Sequence, residues 1–483
     1  MPFPQSSIRR ARLAAGLLGL ALLVPAAHAA APGQVLEDYV RRPDPAFRWE
    51  LKDSSWGLLA DLHRIRLVSQ QWLDAGKVDR PAWVHDLYLT QPRALCGDTA
   101  RTSPLAVLII SGGRNEPDGE PRPIKSDRTF LAGLMAQTFC RPVFELRQVP
   151  NQPLRFTGHD QGRKEDGILA WSMDRYLRAS EGDWPAHMAM AKSVVQAMTA
   201  AQAFSRTRDD VPDVTSFVLI GTSKRGWTSW LTASVDPRVA AIVPVSIDML
   251  NMPVQFEHHR KAYGHYATAL ADYDALDMAC LLRGPRGTDL RNIIDPFALR
   301  ERVKVPKLIL NSAGDEYFLP DSWRFYFDDL PGPKRLRYTV NTDHGQGEAN
   351  QHRVLFEQAR NWIDDLAAGR EPPRLDWSRP TPDTLVVRPS VAPREVRLWT
   401  ADNPKARDFR LETIGPAWTA RTLQADAAGA FRAKLEPPKE GWRAVLVEAV
   451  FGGADAGRQQ IYTTGVYVMP DSYPHTVPAC REG

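Results

Sequence analysis

Serine, aspartate and histidine each stand just beyond an apolar run in this chain, and together they could attack a carbonyl carbon. Ser223 lies in Ser216-Phe217-Val218-Leu219-Ile220-Gly221-Thr222-Ser223-Lys224-Arg225-Gly226-Trp227, where a stretch of strand length meets a glycine and then a helix-like segment. That is the pattern of a nucleophile elbow, a sharp strand-to-helix turn that lifts a serine hydroxyl above a parallel sheet. Asp315 ends Lys307-Leu308-Ile309-Leu310-Asn311-Ser312-Ala313-Gly314-Asp315, and His344 follows the run 335–340 in Asn341-Thr342-Asp343-His344-Gly345. A neutral hydroxyl is a weak nucleophile until a base takes its proton, and imidazole titrates in the right range to do so. A carboxylate then holds the ring in one tautomer and stabilises its positive charge. The backbone N–H of Lys224, with that of Gly113 or Arg114 after the run 105–110, would stabilise an oxyanion.

Each of these residues also has a plainer use. Ser223 could simply cap a helix, and the motif departs from G-x-S-x-G: Arg225 takes the place of the second glycine, which comes one residue later as Gly226. Asp315 could serve a turn and His344 a loop. Asp248, after the run 239–245, competes as the acid, and Asp343 and His352 are neighbours that could replace or support the others. Arg225 and Trp227, with His258, His259 and Tyr263 further on, are candidates for contact with a substrate. His258, His259 and His265 could be read as metal ligands. Adjacent histidines on a helix diverge, however, and no H-E-x-x-H spacing occurs, so neither a metal nor a cofactor is expected.

These residues need a sheet to bring them together. The run at 105–110 is continuously apolar, as a strand covered on both faces is, 239–245 reads as a buried strand in the same way, and 142–149, 216–222, 305–312 and 335–340 read as further strands. Helical patterns at 163–178, 184–204, 321–330 and 350–367 alternate with them, which indicates a parallel sheet built from right-handed crossovers. Before them, 46–51, 64–73 and 81–90 read as strands. The expected class is α/β: an α/β-hydrolase fold over residues 30–370, in which the order Ser223, Asp315, His344 is that of the triad. Residues 249–304 carry no buried-strand pattern and are expected to form a cap over the site. Beyond Arg370-Glu371-Pro372-Pro373, short alternating runs at 384–389, 395–400, 409–414, 418–423, 430–435, 442–450 and 459–468 suggest an immunoglobulin- or fibronectin-like sandwich over residues 376–470, followed by a tail at 471–483.

Composition narrows the class further. The 483 residues are 43% hydrophobic and 24% charged, ordinary for globular protein. Arg9, Arg10 and Arg12, the apolar stretch 13–24 and Ala27-His28-Ala29 have the layout of a signal peptide over residues 1–29, so a periplasmic or secreted location is expected. Arg9-Arg10 hints at twin-arginine export, but its context favours the general secretory route. The apolar stretch is too short to span a bilayer, and no transmembrane segment is expected after cleavage. Removing residues 1–29 lowers the formal charge from +4 to +1, which argues against a nucleic-acid partner. Cys96, Cys140, Cys280 and Cys480 could form two disulfides in any of three pairings, or remain buried thiols.

Gly221-Thr222-Ser223-Lys224-Arg225-Gly226-Trp227-Thr228 and Ile247-Asp248-Met249-Leu250-Asn251-Met252 resemble the PhoPQ-activated pathogenicity-related protein family. Ser111-Gly112-Gly113, Asn311-Ser312-Ala313-Gly314-Asp315 and Asn403-Pro404-Lys405-Ala406-Arg407-Asp408-Phe409-Arg410 extend the resemblance over nearly all of the chain after residue 29. It implies an exported protein with an α/β-hydrolase-like fold, associated with bacterial virulence and resistance to host peptides. A eukaryotic relative acts as a secreted growth repressor. The elbow also resembles that of glucuronoyl esterases, which makes an ester substrate plausible, although no particular substrate follows. Two expectations therefore stand: an exported serine hydrolase of an ester or amide, or a non-catalytic binding or signalling protein on the same scaffold.

Overall fold

A computed structural model describes residues 31–480, apart from 58, 94–95, 97–101, 122–137, 180–181, 453–457 and 478. The expected signal peptide lies outside the described residues. The strands are β1 (Arg48–Trp56), β2 (Ala60–Gln71), β3 (Ala82–Pro92), β4 (Leu105–Ile110), β5 (Val143–Leu146), β6 (Ser216–Thr222), β7 (Val239–Val245), β8 (Lys307–Ser312) and β9 (Lys334–Thr339). They pair in the order β1-β2-β3-β5-β4-β6-β7-β8-β9. Pairing is antiparallel as far as β3–β5 and parallel from β5 to β9. Apart from one extra edge strand this is the α/β-hydrolase order. The chain leaves β4 towards β5 on one side and returns on the other at β6. The carboxyl ends of β4 and β6 therefore flank the switch point where open α/β sheets place their ligands.

The continuous apolar runs have a direct explanation. On β6, Phe217 and Leu219 enter one core while Val218 and Ile220 enter the other, and Leu308, Ile309 and Leu310 on β8 divide in the same way. One face is covered by α1 (Gln34–Arg41), α2 (Asp166–Ala179), α3 (Ala186–Ser205) and α4 (Lys224–Ala233). The other is covered by α7 (Ala349–Ala367). Between β7 and β8 the chain makes α5 (Met252–Tyr263), α6 (Pro285–Ile294) and short helical turns, with no strand among these residues.

The C-terminal residues form two antiparallel sheets. The first pairs β10 (Leu375–Thr381), β11 (Thr384–Pro389) and β14 (Phe431–Lys434). The second pairs β13 (Thr419–Thr422), β12 (Glu395–Asn403), β15 (Trp442–Phe451) and β16 (Gln460–Thr463), with β17 (Tyr467–Met469) also on β15. Two segments differ from the sequence reading here. Residues 409–414 are not a strand: Leu411–Ile414 is a short helix, nucleated by Asp408, whose carboxylate accepts from Arg410 N and Thr413 Oγ1. Residues 321–330 are not a full helix. Only a 3₁₀ turn forms, Ser322–Phe325, because Trp323 is drawn into the C-terminal sheets, where its indole donates to Val466 O at 2.8 Å. Gly465 leaves room for that ring: a Cβ there would lie 1.8 Å from it.

The cysteines pair as Cys96–Cys140 and Cys280–Cys480, and the second bond ties the segment between β7 and β8 to the end of the chain. Among the described residues, no helix is long and apolar enough to cross a membrane.

Candidate active site

Ser223 occupies the turn between β6 and α4 with φ 58° and ψ −130°, a backbone region that costs a non-glycine residue on the order of 1–3 kcal/mol. The turn is over-determined by its neighbours. Ser223 N donates to Val245 O at 2.7 Å, and Trp227 N to Ser223 O at 3.0 Å. A Cβ on Gly221 would lie 2.3 Å from Arg225 O, and one on Gly226 would lie 2.7 Å from Gly221 O. Helix and strand are thus in backbone contact at both glycines. At position 225 it is backbone that meets Gly221, while the Arg225 side chain goes to Val149 O and Glu165.

Asp315, after β8, is 3% exposed. Its Oδ1 accepts from Tyr317 N at 2.7 Å and Phe318 N at 3.2 Å, and its two oxygens lie 3.0 and 2.8 Å from His344 Nδ1. His344 N donates to Glu316 Oε2 at 2.9 Å, and Tyr317 packs against the imidazole with ring centroids 4.3 Å apart. Burial pulls the pKa of His344 down, but the carboxylates of Asp315 and Glu316 outweigh it, and the net shift is upward. The loops after β8 and β9 are also joined beneath the site, where Ser312 Oγ donates to Asp343 O at 2.5 Å and contacts Thr342 Oγ1 at 2.8 Å. Ser223 and His344 line one cavity together with Ser111, Gly112 and Tyr317. With Nδ1 committed to Asp315, the ring has Nε2 left for a proton transfer.

Other expected residues fall differently. Gly112 rather than Gly113 or Arg114 lines that cavity; Gly113 packs on Gln148 and Arg114 is exposed. Asp248 does not reach His344: its carboxylate accepts from the hydroxyls of Tyr326 and Tyr338, and burial pushes its pKa up to about 7 against those two bonds. Asp343 Oδ1 lies 3.4 Å from Gly347 N, and His352 Nε2 lies 2.7 Å from Gly345 O. Arg225 lines the cavity but is not free for a substrate, since Nε donates to Val149 O at 2.6 Å and Nη2 to Glu165 at 2.8 Å. Lys224 Nζ bridges Glu165 and Asp166 at 3.1 and 3.0 Å. Burial raises the pKa of Glu165, but Arg225, Lys224 and Gln152 override it and hold the carboxyl down at about 2.

Trp227 is 2% exposed, with its indole donating to Ile294 O, and it lines a second cavity that also meets Ser223. His259 lines that second cavity too and accepts from Ala267 N at 3.0 Å. His258 lies instead in a buried cluster with Asp321 and Tyr473, and Tyr263 stacks under Arg410. His265 Nδ1 contacts Tyr266 O, so the three histidines do not converge on one point. Glu165, Asp166, Glu316 and Tyr317 were missed by the sequence reading. Glu316 and Tyr317 could have been found, since they directly follow Asp315; Glu165 has no local signal, its partner being sixty positions away.

The profile of the PhoPQ-activated pathogenicity-related protein family matches residues 36–410. The chain belongs to that family. Autocrine proliferation repressor protein A of Dictyostelium discoideum is 30% identical over 465 residues, covering 91% of each chain. Among solved structures, acetyl xylan esterase 1 from Thermoanaerobacterium sp. JW/SL YS485 is similar at 15% identity and a TM-score of 0.42, covering 68% of this chain and 93% of that one. A glucuronoyl esterase from Solibacter usitatus is similar at 16% identity and a TM-score of 0.34, covering 60% and 76%. The family match reaches past the α/β sheet as far as Arg410, so it takes in the buried ion pair of Arg407 with Asp321 between the sheet's loops and the C-terminal residues. In this family member, the histidine, its carboxylate and the turn carrying Ser223 come together at the carboxyl edge of the parallel strands.

Proposed function

We propose that this family member is an exported serine hydrolase that cleaves an ester or amide through an acyl-enzyme on Ser223. The observation that carries the reading is the grip of Asp315 on His344 Nδ1, at the cavity into which the strained Ser223 turn opens. His344 Nε2 takes the proton of Ser223 Oγ as that oxygen bonds to the carbonyl carbon. The oxyanion is received by the backbone N–H of Lys224 at the start of α4, where the helix dipole adds its positive end, and by that of Gly112. His344 then gives the proton to the leaving oxygen or nitrogen, and water repeats the sequence in reverse to free the acid. Asp315 holds the tautomer and stabilises the imidazolium. Export, to the periplasm or beyond, rests on residues 1–29. The two C-terminal sheets are read as an immunoglobulin- or fibronectin-like sandwich that braces the hydrolase unit, and a part in virulence or host-peptide resistance follows from the family's character alone.

A fluorophosphonate probe should label the purified protein, and Ser223→Ala should abolish labelling and turnover of activated esters. Equal labelling of the variant refutes the assignment. The name of the Dictyostelium relative favours a second reading, in which the scaffold is a secreted binding protein without turnover. A folded protein inert to serine-directed probes would support that reading instead.

A further inference from the structure

We infer that the acyl group of the substrate occupies the apolar cavity beneath the segment between β7 and β8, that this group is short and uncharged, and that the leaving group departs on the His344 side. The inference rests on the serine-hydrolase reading. Ser223 and Lys224 stand where two cavities meet. His344 and Gly112 line only the wider one. Because His344 must hand its proton to the leaving atom, the leaving group has to lie on that side of Ser223. The acyl chain, bonded to the same carbon, is then directed into the other cavity.

The walls of that second cavity define what can enter. Trp227, Met252, Phe256, Leu270, Phe318 and Leu319 supply its apolar surface. Several of its polar groups are engaged by the protein: Gln255 Nε2 donates to Leu250 O and Ser322 O, Tyr273 OH donates to Asp166, and His259 Nε2 accepts from Ala267 N. Burial drives the pKa of His259 down to about 3, so the ring is neutral at working pH. At the mouth, the cations of Lys224 and Arg225 are matched by the carboxylates of Glu165 and Asp166. No uncompensated positive charge waits there for an anionic acyl group, and a buried carboxylate would go unpaired. The cavity has room for roughly four water-sized groups.

The test is a panel of p-nitrophenyl esters on the purified full-length mature chain: acetate, butyrate, decanoate and hemisuccinate. Each methylene buried between acetate and butyrate should raise kcat/KM about fourfold, roughly fifteenfold in all. Decanoate should fall below butyrate, and the hemisuccinate at least about tenfold below it. Leu270→Trp fills the cavity and should lower the butyrate-to-acetate ratio by about tenfold. Phe256→Ala enlarges it and should raise the decanoate-to-butyrate ratio. A variant that merely misfolds loses all esters together and leaves the ratios unmoved, so the opposite movement of the two ratios is the diagnostic result. Rates that are flat with chain length, a hemisuccinate equal to butyrate, or unchanged ratios in both variants while each keeps its acetate turnover, would overturn the assignment. If turnover still depends on Ser223 in those cases, the serine-hydrolase reading survives; if nothing labels or turns over through Ser223, both fall.

Discussion

Replacing Arg407 by Met should destabilise the protein by about 3 kcal/mol, and replacing its partner as well should recover much of that loss. Arg407 and Asp321 side chains are each 1% exposed and meet with Nη2 to Oδ2 at 2.6 Å. The other carboxylate oxygen lies 2.9 Å from His258 Nε2, and Tyr473 completes the cluster through its contact with His258 Nδ1 and the guanidinium over its ring. Burial alone would raise the pKa of Asp321, but His258 and Arg407 outweigh it and hold the carboxyl well below the usual range. Removing the guanidinium leaves a buried carboxylate short of a partner, which typically costs about 3–5 kcal/mol. The lower end applies because His258 remains and Arg324 lies 3.6 Å away. The folded pKa is depressed, so this contribution is fully present above the unfolded carboxyl value near 4 and is lost as pH falls through the folded one. The gap between wild type and Arg407→Met should therefore be widest at neutral pH and close under acid. Equilibrium urea denaturation followed by tryptophan fluorescence at several pH values measures it. The paired variant Arg407→Met with Asp321→Leu should be more stable than the sum of the single losses. A single-variant loss under about 1 kcal/mol at pH 7, or a paired variant at the full sum, would refute the reasoning.

Three further outcomes follow from the geometry. Asp315→Asn should cut kcat by about four orders of magnitude. The upward shift of His344 comes from carboxylates, so the acid limb of the wild-type pH–rate profile should lie above the ordinary imidazole value and drop in the residual activity of that variant. Gly221→Ala should destabilise by at least about 2 kcal/mol, because its Cβ meets backbone rather than a movable side chain, and a urea midpoint together with slowed probe labelling would record it. Asn341→Gly keeps the left-handed backbone (φ 55°) but removes both hydrogen bonds to Trp418; kcat should fall about tenfold with KM little changed, while Asn341→Asp, which retains the acceptor for Trp418 N, should fall less.

The sequence was most legible where one physical rule acted alone. A strand buried on both faces is apolar through its middle, so β4, β6, β7 and β8 stood out, and the residues just past them could be placed at one edge of the sheet. It was least legible where side chains decided the local conformation from far along the chain. Helix α1 buries Leu36, Tyr39 and Val40 at helical spacing, a signal that was present but short. Trp323 gives up its helix for a partner on the C-terminal sheets, and residues 411–414 coil instead of extending where the Asp408 carboxylate holds both Arg410 N and Thr413 Oγ1. In the Gly112-Gly113 turn, a Cβ on Gly112 would lie 2.7 Å from the Arg225 guanidinium, and no local pattern of types announces that close approach.

The same long-range contacts bear on why the chain carries its C-terminal sheets at all. Leu411 N donates to Gly314 O, directly before Asp315, at 2.9 Å. Asn341, three residues before His344, exchanges hydrogen bonds with both N and O of Trp418 at 3.0 and 3.1 Å. Tyr338 N, on the strand leading to His344, donates to Thr463 Oγ1 at 2.9 Å. The carboxylate and the imidazole sit on separate loops, and a proton relay tolerates little relative drift between them. Both loops are anchored to one rigid pair of sheets, so their mutual position is set by a body that touches neither Ser223 nor the cavities. Arg407 with Asp321, which His258 also contacts, and Cys280 with Cys480 extend the anchorage to the segment between β7 and β8. On the proposed mechanism the C-terminal sheets act as a clamp on the Asp315 and His344 loops, and their contribution should be sought in kcat rather than in substrate affinity.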